Sequence, residues 1–410
     1  MLLGQFVGVQ VVVQALGFAS GILLVRSLSK HDYALFTIAN TIMGTMNVLA
    51  DSGIGSGLTA IGGRVWSDPF RFGQLISTAL SLRQVFGATV TGLGLPISAW
   101  LLIKNGATPL GAVGICLAIT ISLYFQISNG ILTVIPRLLL QTNRLQQVDF
   151  ASAIMRLLLI GLAWLLLLNV STALWAATAA FGIQWLLLRR WTQSSISQNA
   201  PVAPEMRSEI LAIVRKQAPN GLYYCLQGQI AVWLISICGS TTQVADFGAL
   251  GRLSILFAVI GSVTGSLLIP RFARIQDPAL LRRSYFQILT IFYALTAGFA
   301  ALAQTTPELL LWVLGAKYTH LHHELFLIMI NAGMTSLVGA MWSLNTCRGW
   351  YFSPVINIGS VILAQIIAML LVDLSTVAGV ISISLAGCIP ELVLYPWLAL
   401  RKSRQMPLAA

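Results

Sequence analysis

The stretch "SLSKHDYALFTIANTIMGTMNVLADSGIGSG", from Ser27 to Gly57, begins as a polar turn, becomes a long apolar run and sets Asp51 inside that run among glycines. A helix through it is longer than the roughly 20 residues that cross a bilayer. Comparable runs fill the rest of the chain. Of 410 residues 57% are hydrophobic and 9% charged, and the mean hydropathy is +0.84, values outside the range of soluble globular domains. The sequence is that of a polytopic membrane protein, with room for about twelve transmembrane helices and no large soluble domain.

Apolar runs bounded by charges or by Pro and Gly clusters place helices near 4–25, 34–62, 76–103, 110–136, 150–169 and 171–189, then 218–240, 247–270, 284–304, 324–346, 355–372 and 375–399. The runs are too long for membrane strands and lack their period-two alternation. The expected fold class is an all-α integral membrane protein. The first residues lack a basic n-region and continue past the length of an h-region, so they read as a retained first span.

One segment interrupts the hydrophobic pattern. Arg189 to Asn220 is polar and contains Pro201, Pro204 and Pro219. It divides the chain into an N-terminal six-helix lobe, 1–190, a cytoplasmic linker, 191–217, and a C-terminal six-helix lobe, 218–410. Within the linker Met206, Ile210, Ile213 and Val214 stand at helical spacing against Arg207, Arg215 and Lys216. Two readings fit that pattern, a helix lying in the membrane surface and a solvated extension of the seventh span. An internal repeat agrees with the division: "KHDYALFTIAN" after the first span has a counterpart in "VADFGALGRLS" after the seventh, and Gln14 lies near the level of Gln227 and Gln229.

Lys and Arg beside short loops are retained on the cytoplasmic side. With a cytoplasmic N-terminus 19 of the 24 basic side chains fall inside and 5 outside, and the C-terminus is cytoplasmic too. The net charge of +12 is thus mostly a topological signal, not a mark of nucleic-acid binding. Cys116, Cys225, Cys238, Cys347 and Cys388 lie in or at the ends of spans without CxxC spacing and read as packing residues. "HLHHE", His320 to Glu324, has metal-ligand residue types, but its spacing suits no single helix face.

Two motifs carry a family resemblance. "RSLSKHDYALFTIAN" resembles the Arg-x-Leu-Ser-x-x-x-Tyr-Ala motif that ends the first helix and opens the second in bacterial polysaccharide-biosynthesis flippases, and "LADSGIGSGLT" resembles the Leu-x-Asp-x-Gly motif closing that second helix. These Wzx-type, or O-antigen, flippases belong to the multidrug/oligosaccharidyl-lipid/polysaccharide exporter superfamily. The resemblance implies two six-helix lobes around a central cavity. It also implies movement of an undecaprenyl-diphosphate-linked oligosaccharide from the cytoplasmic to the periplasmic leaflet of the bacterial inner membrane, for O-antigen, lipopolysaccharide or exopolysaccharide assembly. Membrane lipids, a polysaccharide polymerase and glycosyltransferases are the partners it implies, with no nucleic acid.

Candidate residues follow from the chemistry of that cargo. Arg matches diphosphate oxygens in forked geometry and stays charged, which singles out Arg83 and Arg156, about two turns inside spans three and five, then Arg26 and Arg252 nearer the outer ends. Snorkelling to headgroups is the alternative for all four. Gln10, Gln14 and Gln227 offer hydrogen bonds to sugar hydroxyls, against the commoner interhelical use of Gln. Asp51 reads either as a proton, cation or gating site or as the cap of a helix break at Gly53, Gly55 and Gly57.

No cofactor is expected, and the chain has no phosphate-binding Gly-rich loop with Lys. Coupling to H+ or a monovalent cation is open through Asp51, Asp149, Asp373 or Glu391. One alternative keeps the exporter fold and moves small molecules or drugs by ion antiport; it calls for acids in spans one and seven, which contain none. A membrane glycosyltransferase or polysaccharide polymerase is the enzymatic alternative, for which the outer loop near 305–323 offers only Glu308.

Overall fold

In the computed structural model the described residues are 2–139, 141–192, 200–264, 268–273 and 275–405, and these contain helices and no strand. The helices are α1 (Leu2–Ser27), α2 (Lys30–Asp51), α3 (Ile54–Val65), α4 (Pro69–Lys104), α5 (Pro109–Leu132), α6 (Val134–Leu138), α7 (Thr142–Leu166) and α8 (Val170–Thr192). There follow α9 (Pro204–Cys238), α10 (Thr241–Leu253), α11 (Ile255–Val263), α12 (Ile269–Ala273), α13 (Pro278–Thr305), α14 (Pro307–Leu314), α15 (His322–Thr346), α16 (Pro354–Leu371) and α17 (Val377–Arg404). Among the described residues eleven helical segments are long and apolar enough to cross a membrane, and a shorter apolar one, Cys225–Cys238, lies in α9. The protein is an all-α, multi-pass membrane protein.

Local chemistry sets the helix starts. Five of them pair an N-cap with proline: Asp68-Pro69, Thr108-Pro109, Asp277-Pro278, Thr306-Pro307 and Ser353-Pro354. The missing N–H of the proline is one the first turn leaves unused, and its fixed φ suits the helix. Asp68 accepts the N–H groups of Phe70 at 2.9 Å and Arg71 at 3.2 Å, and Asp277 those of Ala279 at 2.9 Å and Leu280 at 3.3 Å. For this reason α4 and α13 begin at Pro69 and Pro278, one to two turns before the limits set by the apolar runs.

Two expected spans are broken. The second, expected over 34–62, is α2 and α3, separated by Ser52 at φ 41° and Gly53 at φ 96°. The eighth, expected over 247–270, is divided into α10, α11 and α12. Gly53 adopts a left-handed conformation that costs a residue with a Cβ about 1–2 kcal/mol. Gly53→Ala is therefore expected to lower stability by that amount, read as a reduced midpoint of thermal unfolding in detergent.

The chain forms two units, Met1–Gln229 and Ile230–Ala410, with the boundary inside α9. In unit 1 α4 packs on α5, α5 on α8, and α7 on α8; α2 lies along α4 and α5, and α1 along α7. In unit 2 the corresponding pairings recur, α13 on α15, α15 on α17 and α16 on α17.

The linker segment behaves as part of unit 1. Residues from Pro204 onward are continuous with the seventh helix. Ile210 and Val214 are buried in a cluster with Ile54, Leu58, Phe72 and Leu75, and Met206, Leu211 and Ile213 pack against it. Arg64 pairs with Glu209, and the Ala203 N–H donates to Thr78 Oγ1 at 3.0 Å. The apolar stripe read as a membrane-surface helix or a solvated extension thus buries itself against protein. Residues 193–199 of the linker lie outside the described residues.

Candidate functional site

In unit 1 the residues flagged by charge and the residues flagged by glycine meet. Asn47 and Asp51 stand one turn apart on α2 and so share a face. Arg83, on α4, is 5% exposed. Its Nη2 lies 3.5 Å from Asp51 Oδ1 and donates to Asn47 Oδ1 at 3.3 Å, while Nη1 donates to the Ile127 carbonyl of α5 at 3.3 Å. A Cβ on Gly130 would strike the guanidinium, so glycine is what lets the arginine lie against α5. Asp51 Oδ1 also accepts the Gly55 N–H at 3.2 Å, the first turn of α3. Asp51 is therefore both the cap of the helix break and the counter-charge of Arg83. Arg83 ties α2, α4 and α5 together; its two Nη groups are committed to protein acceptors.

The remaining predicted residues lie apart from this cluster. Arg156 is half-buried on α7; two turns earlier Asp149 accepts a hydrogen bond from Gln184 of α8 at 3.4 Å. Arg26 is exposed in the last turn of α1, and Arg252 is half-buried in the last turn of α10. Gln10 and Gln14 are half-buried on α1, as is Gln227 on α9. The α9 glutamine that approaches α2 is Gln229, placed against Gly44, one turn from Cys225, whose Sγ lies 3.6 Å from the Thr45 carbonyl.

Unit 2 holds features that sequence reading did not assemble. One is a cavity of about 510 Å³ between α10–α12 and α15, lined by Ser254, Phe257, Gly261 and Thr264 on one side and by Asn331, Thr335, Ser336, Gly339 and Ser343 on the other. The second span of unit 1 is broken once, after Asp51; the span α10–α12 in unit 2 is broken twice, and the cavity lies beside it. Asn331, Thr335, Gly339 and Ser343 are spaced by four residues, a one-face stripe visible in the sequence. Its opposing wall, sixty to ninety residues away in the chain, is not.

Two more polar groups belong to unit 2. Glu391 of α17 is 6% exposed and accepts hydrogen bonds from the Tyr395 hydroxyl at 3.0 Å and Asn357 Nδ2 at 3.3 Å. His320 Nε2 lies 3.3 Å from the buried Asp246 carboxylate, and no group of three or more metal-ligating side chains occurs among the described residues. Asp373, in the loop before α17, takes hydrogen bonds from the Ser375 hydroxyl at 2.7 Å and N–H at 2.8 Å, which hold its carboxyl below the usual carboxylate range.

No family model matches the chain, and no curated protein does. The fold is nevertheless one already seen in multi-pass membrane transporters. The chain is similar to a multidrug resistance MATE family transporter of the MOP superfamily in an inward-facing conformation, with a TM-score of 0.76 and 17% identity over 95% of each chain. It is similar as well to the lipid II flippase MurJ in an inward closed conformation, with a TM-score of 0.73 and 14% identity over 97% of this chain and 87% of that one. A MATE structure in a bent conformation gives 0.62 and 17% over 97% and 93%. The likeness is one of fold, extends over nearly the whole chain, and is to transporters and a flippase.

Proposed function

We propose that this protein is a flippase that carries an undecaprenyl-diphosphate-linked oligosaccharide across the bacterial inner membrane, cytoplasmic to periplasmic leaflet, for O-antigen or exopolysaccharide assembly. The observation that carries this reading is the unit 2 cavity, an uncharged hollow of about 510 Å³ whose mostly apolar wall carries five hydroxyls and the Asn331 amide. Such groups match the many donors and acceptors of a sugar. Alternating access moves the cargo, its lipid tail remaining in the bilayer. The termini are cytoplasmic on the distribution of basic residues. Arg156, Arg26 and Arg252 supply cations for the diphosphate, and Gln10, Gln14 and Gln227 donors for sugar; Arg83 reaches a diphosphate only by exchanging it for Asp51. The polymerase and glycosyltransferases of the same assembly are its functional partners.

A second reading, small-molecule or drug antiport, has one observation in its favour. Glu391 is a carboxyl buried inside a span, the kind of group that binds a proton or a monovalent cation. Coupling through it is compatible with either cargo.

Binding by the full-length protein in lipid nanodiscs separates the two. Radiolabelled undecaprenyl-diphosphate tetrasaccharide is expected to bind saturably, with displacement by unlabelled glycolipid and not by a lipophilic cation. Saturable binding of the cation with no glycolipid binding would transfer the assignment to antiport.

A further inference from the structure

The unit 2 cavity is uncharged, its mostly apolar wall carrying five hydroxyls and the Asn331 amide. On one wall no ionisable residue occurs between Arg252 and Arg271; on the other, none occurs between Glu324 and Cys347. The cavity's size, about 510 Å³, lies within the roughly 300–1,000 Å³ of small-molecule sites. Two of its hydroxyls are spent within their own helices, Thr264 Oγ1 donating to the Ile260 carbonyl at 2.9 Å and Ser343 Oγ to the Gly339 carbonyl at 2.8 Å. Asn331 differs. Its Oδ1 is buried and has no hydrogen-bond partner among the described residues, although a buried amide oxygen is ordinarily paired. Ser254 and Ser336 line the same cavity, from α10–α11 and from α15.

We infer that this cavity binds an uncharged, hydroxyl- and amide-bearing part of the glycan and excludes sugars that carry a carboxylate. The inference rests on the flippase reading and adds the class of sugar. A neutral sugar exchanges water for the Asn331 amide and the Ser254 and Ser336 hydroxyls, and meets the orphaned Asn331 oxygen with an O–H or N–H donor. A uronate brings a charge into a site whose walls supply no cation, and an unpaired charge taken out of water is strongly disfavoured. Selectivity thus arises from the penalty on the wrong sugar as much as from contacts to the right one.

The test uses the full-length protein in nanodiscs and two probes, an undecaprenyl-diphosphate tetrasaccharide of N-acetylglucosamine and galactose, and the same molecule with galacturonate in place of galactose. The neutral probe is expected to bind at least tenfold more tightly. Asn331→Lys places a cation in the cavity and is expected to narrow or reverse that gap; Ser336→Lys does the same from another point on the α15 wall should Asn331→Lys fail to fold. Equal affinities, or a gap unchanged in a folded lysine variant, would overturn the inference while leaving the flippase reading intact. Binding of neither probe would remove the flippase reading and this inference with it.

Discussion

Arg83→Met is expected to destabilise the protein by about 3 kcal/mol, the lower end of the cost of breaking a buried ion pair by deleting one partner. The lower end applies because Asp51 is itself one-third exposed. Removing the guanidinium leaves the Asp51 carboxylate without its counter-charge and the Asn47 and Ile127 oxygens without their donor. Asp51→Asn should restore part of what Arg83→Met loses, because the amide keeps an oxygen for the Gly55 N–H and no longer carries a charge. In a double-mutant cycle the coupling is expected at about 1–3 kcal/mol, measured by thermal unfolding in one detergent. Strictly additive losses would show that the pair is not coupled. Gly130→Ala approaches the same contact from α5, since its Cβ would displace the guanidinium, and should destabilise by about 1–3 kcal/mol.

Gly339→Phe should have the opposite profile, a large loss of transport with little change in stability. Gly339 lines the unit 2 cavity, and a Cβ there meets open space. The side chain starts into open space at its Cβ and is expected to extend into the cavity, so the unfolding midpoint should correspond to a change within about 0.5 kcal/mol. Glycolipid transport, in contrast, should fall tenfold or more. Gly261→Phe, on the facing wall and equally unobstructed, is expected to do the same. Wild-type transport in both variants, with protein levels matched, would place the cargo elsewhere.

The parts of the fold written in local chemistry were legible in the sequence. Apolar runs mark the spans because a bilayer requires about 20 such residues, and the glycines beside Asp51 mark a helix break because left-handed backbone there requires Gly53. The limits of α4 and α13 were displaced because the apolar pattern stops where the membrane does, whereas the caps Asp68-Pro69 and Asp277-Pro278 carry the helices beyond it. Arg83 shows where local reading ends. Headgroup snorkelling and cargo binding were the two uses visible from its position on α4. The observed use, a guanidinium buried against α5, depends on Asn47, Ile127 and Gly130, which only packing brings together. The cavity is a similar case: a stripe of small polar residues on α15 reads most simply as a helix-packing face, and only the broken helix opposite turns it into a lining.

Inverted membrane vesicles containing the protein provide the most direct measurement. A labelled undecaprenyl-diphosphate tetrasaccharide is added to the exposed, cytoplasmic leaflet, and its sugars are assayed over time for protection from an impermeant glycosidase. Flipping predicts protein-dependent protection that saturates with glycolipid and is lost in Gly339→Phe. No protection with the native glycolipid, in vesicles shown to contain folded protein, would contradict the assignment of a lipid-linked oligosaccharide as the cargo.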